Sequence, residues 1–113
     1  MNKVKTRVHA GVCGYVTEIV ATTEDEQMVQ MAIESPCGNI RSLAAGLPGE
    51  LDAYEELGAG WNGAIHQAAL GALKGCCSGC VVPSSIFKSM QIAAGLALPR
   101  DISIEFGSDK SPA

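Results

Sequence analysis

The chain has 113 residues and a formal net charge of −4, which is the size of one ordinary domain and long enough to fold without the help of a metal or disulfides. Its apolar fraction is 47% and its charged fraction 18%, a balance typical of globular proteins rather than disordered ones. Aromatic residues make up only 4% and there is no basic run, so nucleic-acid binding is not expected.

The first third of the chain alternates polar and apolar residues, which predicts three β-strands. We expect them over residues 3–10, 15–22 and 27–34, with Ile19 and Ile33 on the apolar faces of the second and third. Because the links between these runs are short, neighbouring strands must run antiparallel.

After the third strand the apolar residues change to helical spacing. Ser35 and Pro36 form a helix-start signal, with Ser35 as the cap. Trp61 is expected to anchor the core from the third helix. Three or four helices are predicted, over residues 36–47, 50–57, 61–74 and 83–97.

Residues 101–106 return to strict alternation, with Ile102 and Ile104 among the apolar positions, and predict a final strand. The predicted order is therefore βββ-ααα(α)-β. This order indicates an α+β fold, a mainly antiparallel four-stranded sheet with helices packed on one face. We assign residues 1–107 to a single α+β domain and residues 108–113 to a polar tail.

No apolar run reaches membrane-spanning length, since the most apolar one, residues 92–98, has seven residues. Residues 1–7 carry charge without a following apolar segment, unlike a signal peptide. We therefore expect a cytoplasmic protein without membrane contact, in a compartment where thiols are kept reduced.

Five cysteines in a reduced compartment need an explanation, and their positions favour metal ligation. The odd number excludes a complete set of intrachain disulfides. Structural cysteines usually lie buried within strands or helices. Here all of them fall at junctions between predicted elements: Cys13, Cys37, Cys76, Cys77 and Cys80.

Three of these thiols have surroundings that favour a thiolate. Cys37 lies in the first turn of a predicted helix and Cys80 shortly before another, where unpaired N–H groups and the helix dipole stabilise negative charge. Cys13 lies between Gly11 and Gly14, which allow the backbone to approach a bound ion or cluster. We therefore predict that the three thiols converge in the folded chain.

The fourth ligand is less strictly determined. Cys77-Ser78-Gly79-Cys80 is a CxxC motif, which suits zinc, iron–sulfur or redox chemistry. Zinc fingers normally carry two such pairs, and thioredoxin-type sites precede a helix in a βαβ unit that this strand order does not predict. Cys77 is the favoured fourth ligand, and Cys76 and His66 are its rivals.

The segments around the cysteines also carry a resemblance. They are Ala10-Gly11-Val12-Cys13-Gly14, Ser35-Pro36-Cys37, Cys80-Val81-Val82-Pro83 and residues 93–99. Over most of its length the chain resembles a family of small, uncharacterised, cysteine-containing proteins of anaerobic archaea and bacteria, a domain of unknown function. The resemblance implies that Cys13, Cys37 and Cys80 are the pattern cysteines. It carries no activity, and its anaerobic setting favours iron–sulfur clusters by association.

The sequence thus favours a metal-binding protein in which Cys13, Cys37, Cys77 and Cys80 hold an iron–sulfur cluster, of the 4Fe–4S type, or zinc. Its use would be electron transfer or cluster handling, with a redox or metal-donor protein as partner. No pair of carboxylates stands out as acid and base, so independent catalysis is not favoured. A thiol–disulfide redox protein using the CxxC and a structural or interaction domain with incidental cysteines remain alternatives, and the oligomeric state is open.

Overall fold

The computed structural model describes residues 2–107, so that Met1 and the predicted polar tail, 108–113, lie outside the described residues. Within residues 2–107 the chain forms four strands, four α-helices and two short 3-10 helices. In chain order they are β1 (Asn2–His9), β2 (Val16–Thr23), β3 (Met28–Glu34), α1 (Gly38–Ala45), β4 (Glu50–Asp52), α2 (Ala53–Ala59), a 3-10 helix (Gly60–Asn62), α3 (Ala64–Ala72), a second 3-10 helix (Gly75–Gly79) and α4 (Val82–Ala93).

The strands form one antiparallel sheet in the order β1-β2-β3-β4. Its register places Ile19 of β2 between Thr6 of β1 and Ile33 of β3, and Ile19 is fully buried. The intervening residues of β1, such as Lys5, are exposed on the opposite face. The α+β class and the mainly antiparallel four-stranded sheet are therefore confirmed, with one sheet face carrying the core.

Helices cover the inner face of the sheet. The long helix α4 packs against β1 and β2, while α1 contacts β3 and α3. Ile86, Met90 and Ala93 of α4 are completely buried, at the spacing of one helix face. Thr6 of β1 and Ser89 of α4 share a hydrogen bond of 2.7 Å between their hydroxyls, so the contact between strand and helix is both apolar and polar.

The fourth strand lies elsewhere in the chain than the alternation predicts. Residues 101–106 form no strand, and all of them are exposed. A strand needs a neighbouring strand to pair its backbone groups, and this segment has no neighbouring strand among residues 2–107. The fourth strand is β4, where Leu51 pairs with Val29 and is buried. Asp52 then caps α2, so the predicted helix 50–57 begins three residues later, at Ala53.

Trp61 does not anchor the core. Its side chain is 75% exposed and lies in the 3-10 helix before α3, which begins only at Ala64. The core position of α3 is taken by Ile65, which is completely buried. Gly60, with a positive φ of 57°, allows the chain to break between α2 and α3 and leaves the indole outside.

Two aspartates at one end of the sheet tie β3, β4 and α2 together. Asp25 accepts hydrogen bonds from the backbone N–H groups of Gln27 and Met28 at 3.0 and 2.9 Å. The Gln27 side chain donates to Asp52 at 2.9 Å, and Asp52 also accepts the N–H of Tyr54 at 3.0 Å. Hydrogen bonds from Gln27, the largest cause in each case, hold the pKa of both carboxyls below the ordinary value of aspartate.

These carboxylates should make folding sensitive to acid. A carboxyl whose pKa is lowered by folding stabilises the protein above its unfolded-state pKa, and that contribution is lost as the pH falls through the lowered value. We expect Asp52→Asn to keep the helix cap, since asparagine caps equally well, but to flatten the fall in unfolding free energy on acidification. Urea unfolding from neutral pH down to about pH 3 measures it; an unchanged pH dependence would contradict it.

Candidate functional site

Cys37 lies at the start of α1 and is its N-terminal cap residue, with extended backbone angles. The hydroxyl of Ser35 accepts the Cys37 N–H at 3.1 Å, and Thr17 of β2 donates to the same hydroxyl at 2.9 Å. The prediction of Ser35 as the cap is therefore wrong: its hydroxyl holds the turn that leads into the helix, three residues before the helix begins at Gly38. This anchors a half-buried thiol to the middle of the sheet.

The CxxC lies in the 3-10 helix Gly75–Gly79 and the residue that follows it. A positive φ of 61° at Gly75 turns the chain after α3, and the Cys80 N–H bonds to the Cys77 carbonyl at 3.1 Å. Cys77 and Cys80 are half-buried and pack against the hydrophobic core, whereas Cys76 is exposed. Adjacent residues of this turn thus differ in direction, and the thiols at the two ends of the CxxC are the ones directed inward.

Cys13 occupies the loop between β1 and β2. Gly11 and Gly14 have positive φ values of 90° and 74°, and the Gly14 N–H closes the turn on the Gly11 carbonyl at 2.9 Å. A side chain at either glycine would be strained in this backbone conformation. The loop leaves the Cys13 thiol exposed at the end of the sheet.

The other thiols act on Cys80. Burial raises the pKa of the Cys80 thiol, a hydrogen bond from the Val82 N–H opposes the rise, and negative charge on Cys13, Cys37 and Cys77 raises it further. Cys37, Cys77 and Cys80 also pack against the hydrophobic core, whereas Cys13 is exposed. These are the four cysteines that the sequence predicts as ligands.

A second link joins α1 to the CxxC. The side-chain amide of Asn39, in the first turn of α1, donates to the Cys77 sulfur at 3.4 Å. This bond ties the start of α1 to the first cysteine of the CxxC. Among residues 2–107, no group of three or more His, Cys, Asp or Glu side chains is arranged so that it could hold a metal ion.

A family model described as "Family of unknown function (DUF6951)" matches residues 4–106. The chain belongs to this family. The match includes every cysteine and also the exposed segment 101–106. No curated protein and no solved structure matches the chain. None of the helices within the described part of the chain is long and apolar enough to span a membrane.

His66, a rival for the fourth ligand position, lies in a different environment. Its ring is 4.0 Å from that of Trp61 and 5.3 Å from that of Phe87, measured between centroids. The three rings line a cleft of about 340 Å³. The buried Nδ1 of His66 has no hydrogen-bond partner among the described residues. Aromatic packing therefore accounts for the position of this ring.

Asn39 is the site residue that sequence reasoning missed. A polar residue in the first turn of a helix is ordinarily a solvated one, and nothing in its spacing distinguishes it. The available signal is its position two residues after Cys37, which places its amide beside a sulfur-rich helix start. Only the packing of α1 against the segment after α3 shows which sulfur it meets.

Proposed function

We propose that this protein binds a metal centre through Cys13, Cys37, Cys77 and Cys80, with an iron–sulfur cluster of the 4Fe–4S type as the preferred occupant and zinc as the alternative. The observation that carries the proposal is that Cys37, Cys77 and Cys80, from two separate parts of the chain, all pack against the hydrophobic core, with Asn39 of α1 bonded to the Cys77 sulfur. The charge of the exposed Cys13 thiol also acts on the pKa of Cys80.

The donor set suits such a centre by its chemistry, although the thiols as they lie within residues 2–107 do not form a ready-made metal-binding group and would have to move together to bind one. Four cysteine thiolates are the usual ligands of a 4Fe–4S cluster and also of structural zinc. The hydrogen bond from the Asn39 amide to the Cys77 sulfur is of the kind that tunes a ligand sulfur. When bound, a cluster would supply a reversible one-electron carrier, whereas zinc would brace the loops.

The electrostatics of the site make Cys80 a poor attacking thiol, so a thiol–disulfide mechanism would have to begin at Cys77. An attacking cysteine needs a lowered pKa and an accessible thiolate. Burial and the charges of neighbouring thiols instead raise the pKa of Cys80, which reduces its thiolate fraction at neutral pH. A bound cation reverses this penalty, because positive charge stabilises the thiolates that otherwise repel one another.

The site carries no independent catalysis in this proposal, because the side chain seen beside a sulfur, the amide of Asn39, is a neutral hydrogen-bond donor. Its partner is a redox or metal-donor protein, and its setting is the reduced cytoplasm. Cys13 supports an approach from outside, since it lies in an exposed loop with Val12 and Tyr15, whose apolar side chains face solvent. The anaerobic hosts that the resemblance implies would suit an oxygen-sensitive cluster.

Reconstitution of the full chain under anaerobic conditions with iron and sulfide tests the proposal. We expect a brown protein with visible absorbance, and an electron paramagnetic resonance signal after reduction. Stoichiometric zinc in elemental analysis, without a cluster, would assign the site to the alternative metal. A colourless, metal-free protein that turns over a disulfide substrate, and needs both Cys77 and Cys80 to do so, would replace this proposal with a thiol oxidoreductase.

A further inference from the structure

The segment after α4 has the composition of a strand but no place in the sheet. Ile102, Ile104 and Phe106 alternate with polar residues, and their side chains are 60%, 59% and 89% exposed. Every residue from 100 to 107 is exposed. Large apolar side chains at strand spacing are normally covered on one face, so this segment presents an apolar face that the described part of its own chain does not bury.

The sheet has an edge that matches the segment. The eight-residue strand β1 is an edge strand, paired on one side with β2. Towards the core it presents Val4 and Thr6, which are only half-buried, and towards the open face it presents Lys3 and Lys5. A long edge strand with unpaired backbone groups is a template for another strand, and lysines on it normally discourage pairing.

We propose that residues 101–106 of one molecule pair with the outer edge of β1 in a second copy, as a fifth strand of its sheet. In that position the apolar face of the segment extends the core face of β1. Asp101 and Glu105, on the other face of the segment, meet the lysines of β1. The lysines then repel other strands but attract this one, which is how charge selects a partner.

We take a second copy of this chain as the binding partner, because each copy carries both the exposed segment and the β1 edge that the segment fits. Each molecule has one exposed segment and one open β1 edge. Two molecules related by a two-fold axis can therefore exchange segments, so that both segments and both β1 edges are paired. Pairing by backbone hydrogen bonds, with alternate side chains giving specificity, is the usual mode of strand addition. Arg7 of β1 is engaged with Glu18 at 3.0 Å, so Lys3 and Lys5 are the cations to exchange in a test.

The experiment is sedimentation of the purified full chain over a range of concentrations. We expect a dimer, and a dissociation constant raised roughly ten- to a hundredfold by Ile104→Lys, because an isoleucine leaves the buried face. Leu98→Lys is the matched control: Leu98 is also exposed, at 71%, but precedes the segment, and its variant should dimerise normally. Circular dichroism should be unchanged in both.

Exchanging the charges on the segment and on β1 tests whether these two surfaces meet, whatever the register between the two strands. Lys3→Glu with Lys5→Glu should weaken the dimer, as should Asp101→Lys with Glu105→Lys, and combining all four should restore it. A wild-type chain that is monomeric throughout, or a dimer insensitive to Ile104→Lys, would overturn the proposal. A monomer destabilised by Ile104→Lys would overturn it too, by showing that the segment folds onto its own chain.

Discussion

We expect that replacing Cys80 by alanine abolishes metal retention, whereas replacing Cys76 by alanine leaves metal retention intact. Cys80 is half-buried, packs against the core and lies within the influence of three other thiols. Cys76 is exposed and belongs to the same 3-10 helix as Cys77. The two variants remove the same thiol group from positions four residues apart, so they differ mainly in which sulfur faces the site.

The measurement is iron, sulfide and zinc per chain after anaerobic purification. We expect Cys80→Ala to retain less than about a tenth of the wild-type metal, since loss of one thiolate removes a metal–sulfur bond and opens the coordination shell. Cys76→Ala should match wild type. Circular dichroism of the metal-free proteins shows whether each still folds. Equal loss in both variants would mean that the ligand assignment is wrong.

The first three strands could be predicted because their pattern is complete within each segment. Val29, Met31 and Ile33 alternate as strand β3 requires, and the short links leave only an antiparallel arrangement. The fourth strand could not be found in this way. With only three residues, β4 has too few positions to show a period, and Leu51 becomes a strand residue by pairing with Val29. Residues 101–106 show the opposite: a clear alternation, but no partner strand within residues 2–107.

The local position of each cysteine, in a loop or at the start of a helix, could also be predicted from the sequence in part. Glycines flanking Cys13 and the Ser-Pro pair before Cys37 indicate loops and helix starts, and such positions leave thiols near the ends of elements. The choice between Cys76 and Cys77 depends on the exact turn that Gly75 starts, and the Asn39 donor depends on how two distant elements pack. Neither is encoded in local spacing.

The second large expected effect is on the free energy of unfolding, and it involves a buried carboxylate that sequence analysis did not identify. Glu56 of α2 is 7% exposed, and it accepts the N–H groups of Ala64 and Ile65 at 2.8 and 3.4 Å. It thereby caps α3, whose own cap residue, Gly63, has no side chain to do so. Negative charge at a helix N-terminus is stabilising, and a hydrogen bond to a charged group contributes about 1.5–3 kcal/mol.

Gly63 is the residue that makes room for this carboxylate. A Cβ at Gly63 would lie 2.7 Å from one Glu56 carboxylate oxygen and 3.2 Å from the other. The carboxylate could move away only by leaving the backbone N–H groups that it caps. We therefore expect Gly63→Ala to lower the free energy of unfolding by about 1.5–3 kcal/mol, the same range as Glu56→Ala, because both remove the same hydrogen bonds.

A double-mutant cycle with these substitutions distinguishes this explanation from two separate effects. If Gly63→Ala acts by displacing the carboxylate, it should cost little once Glu56 is already alanine, so the double variant should be about as stable as either single one. Gly71→Ala is the control: a Cβ there meets nothing within 4 Å, and alanine in a helix interior should add about 0.5–1 kcal/mol. Urea unfolding of the four proteins measures the cycle. Strict additivity would show that the cost of Gly63→Ala does not come from displacing the carboxylate of Glu56.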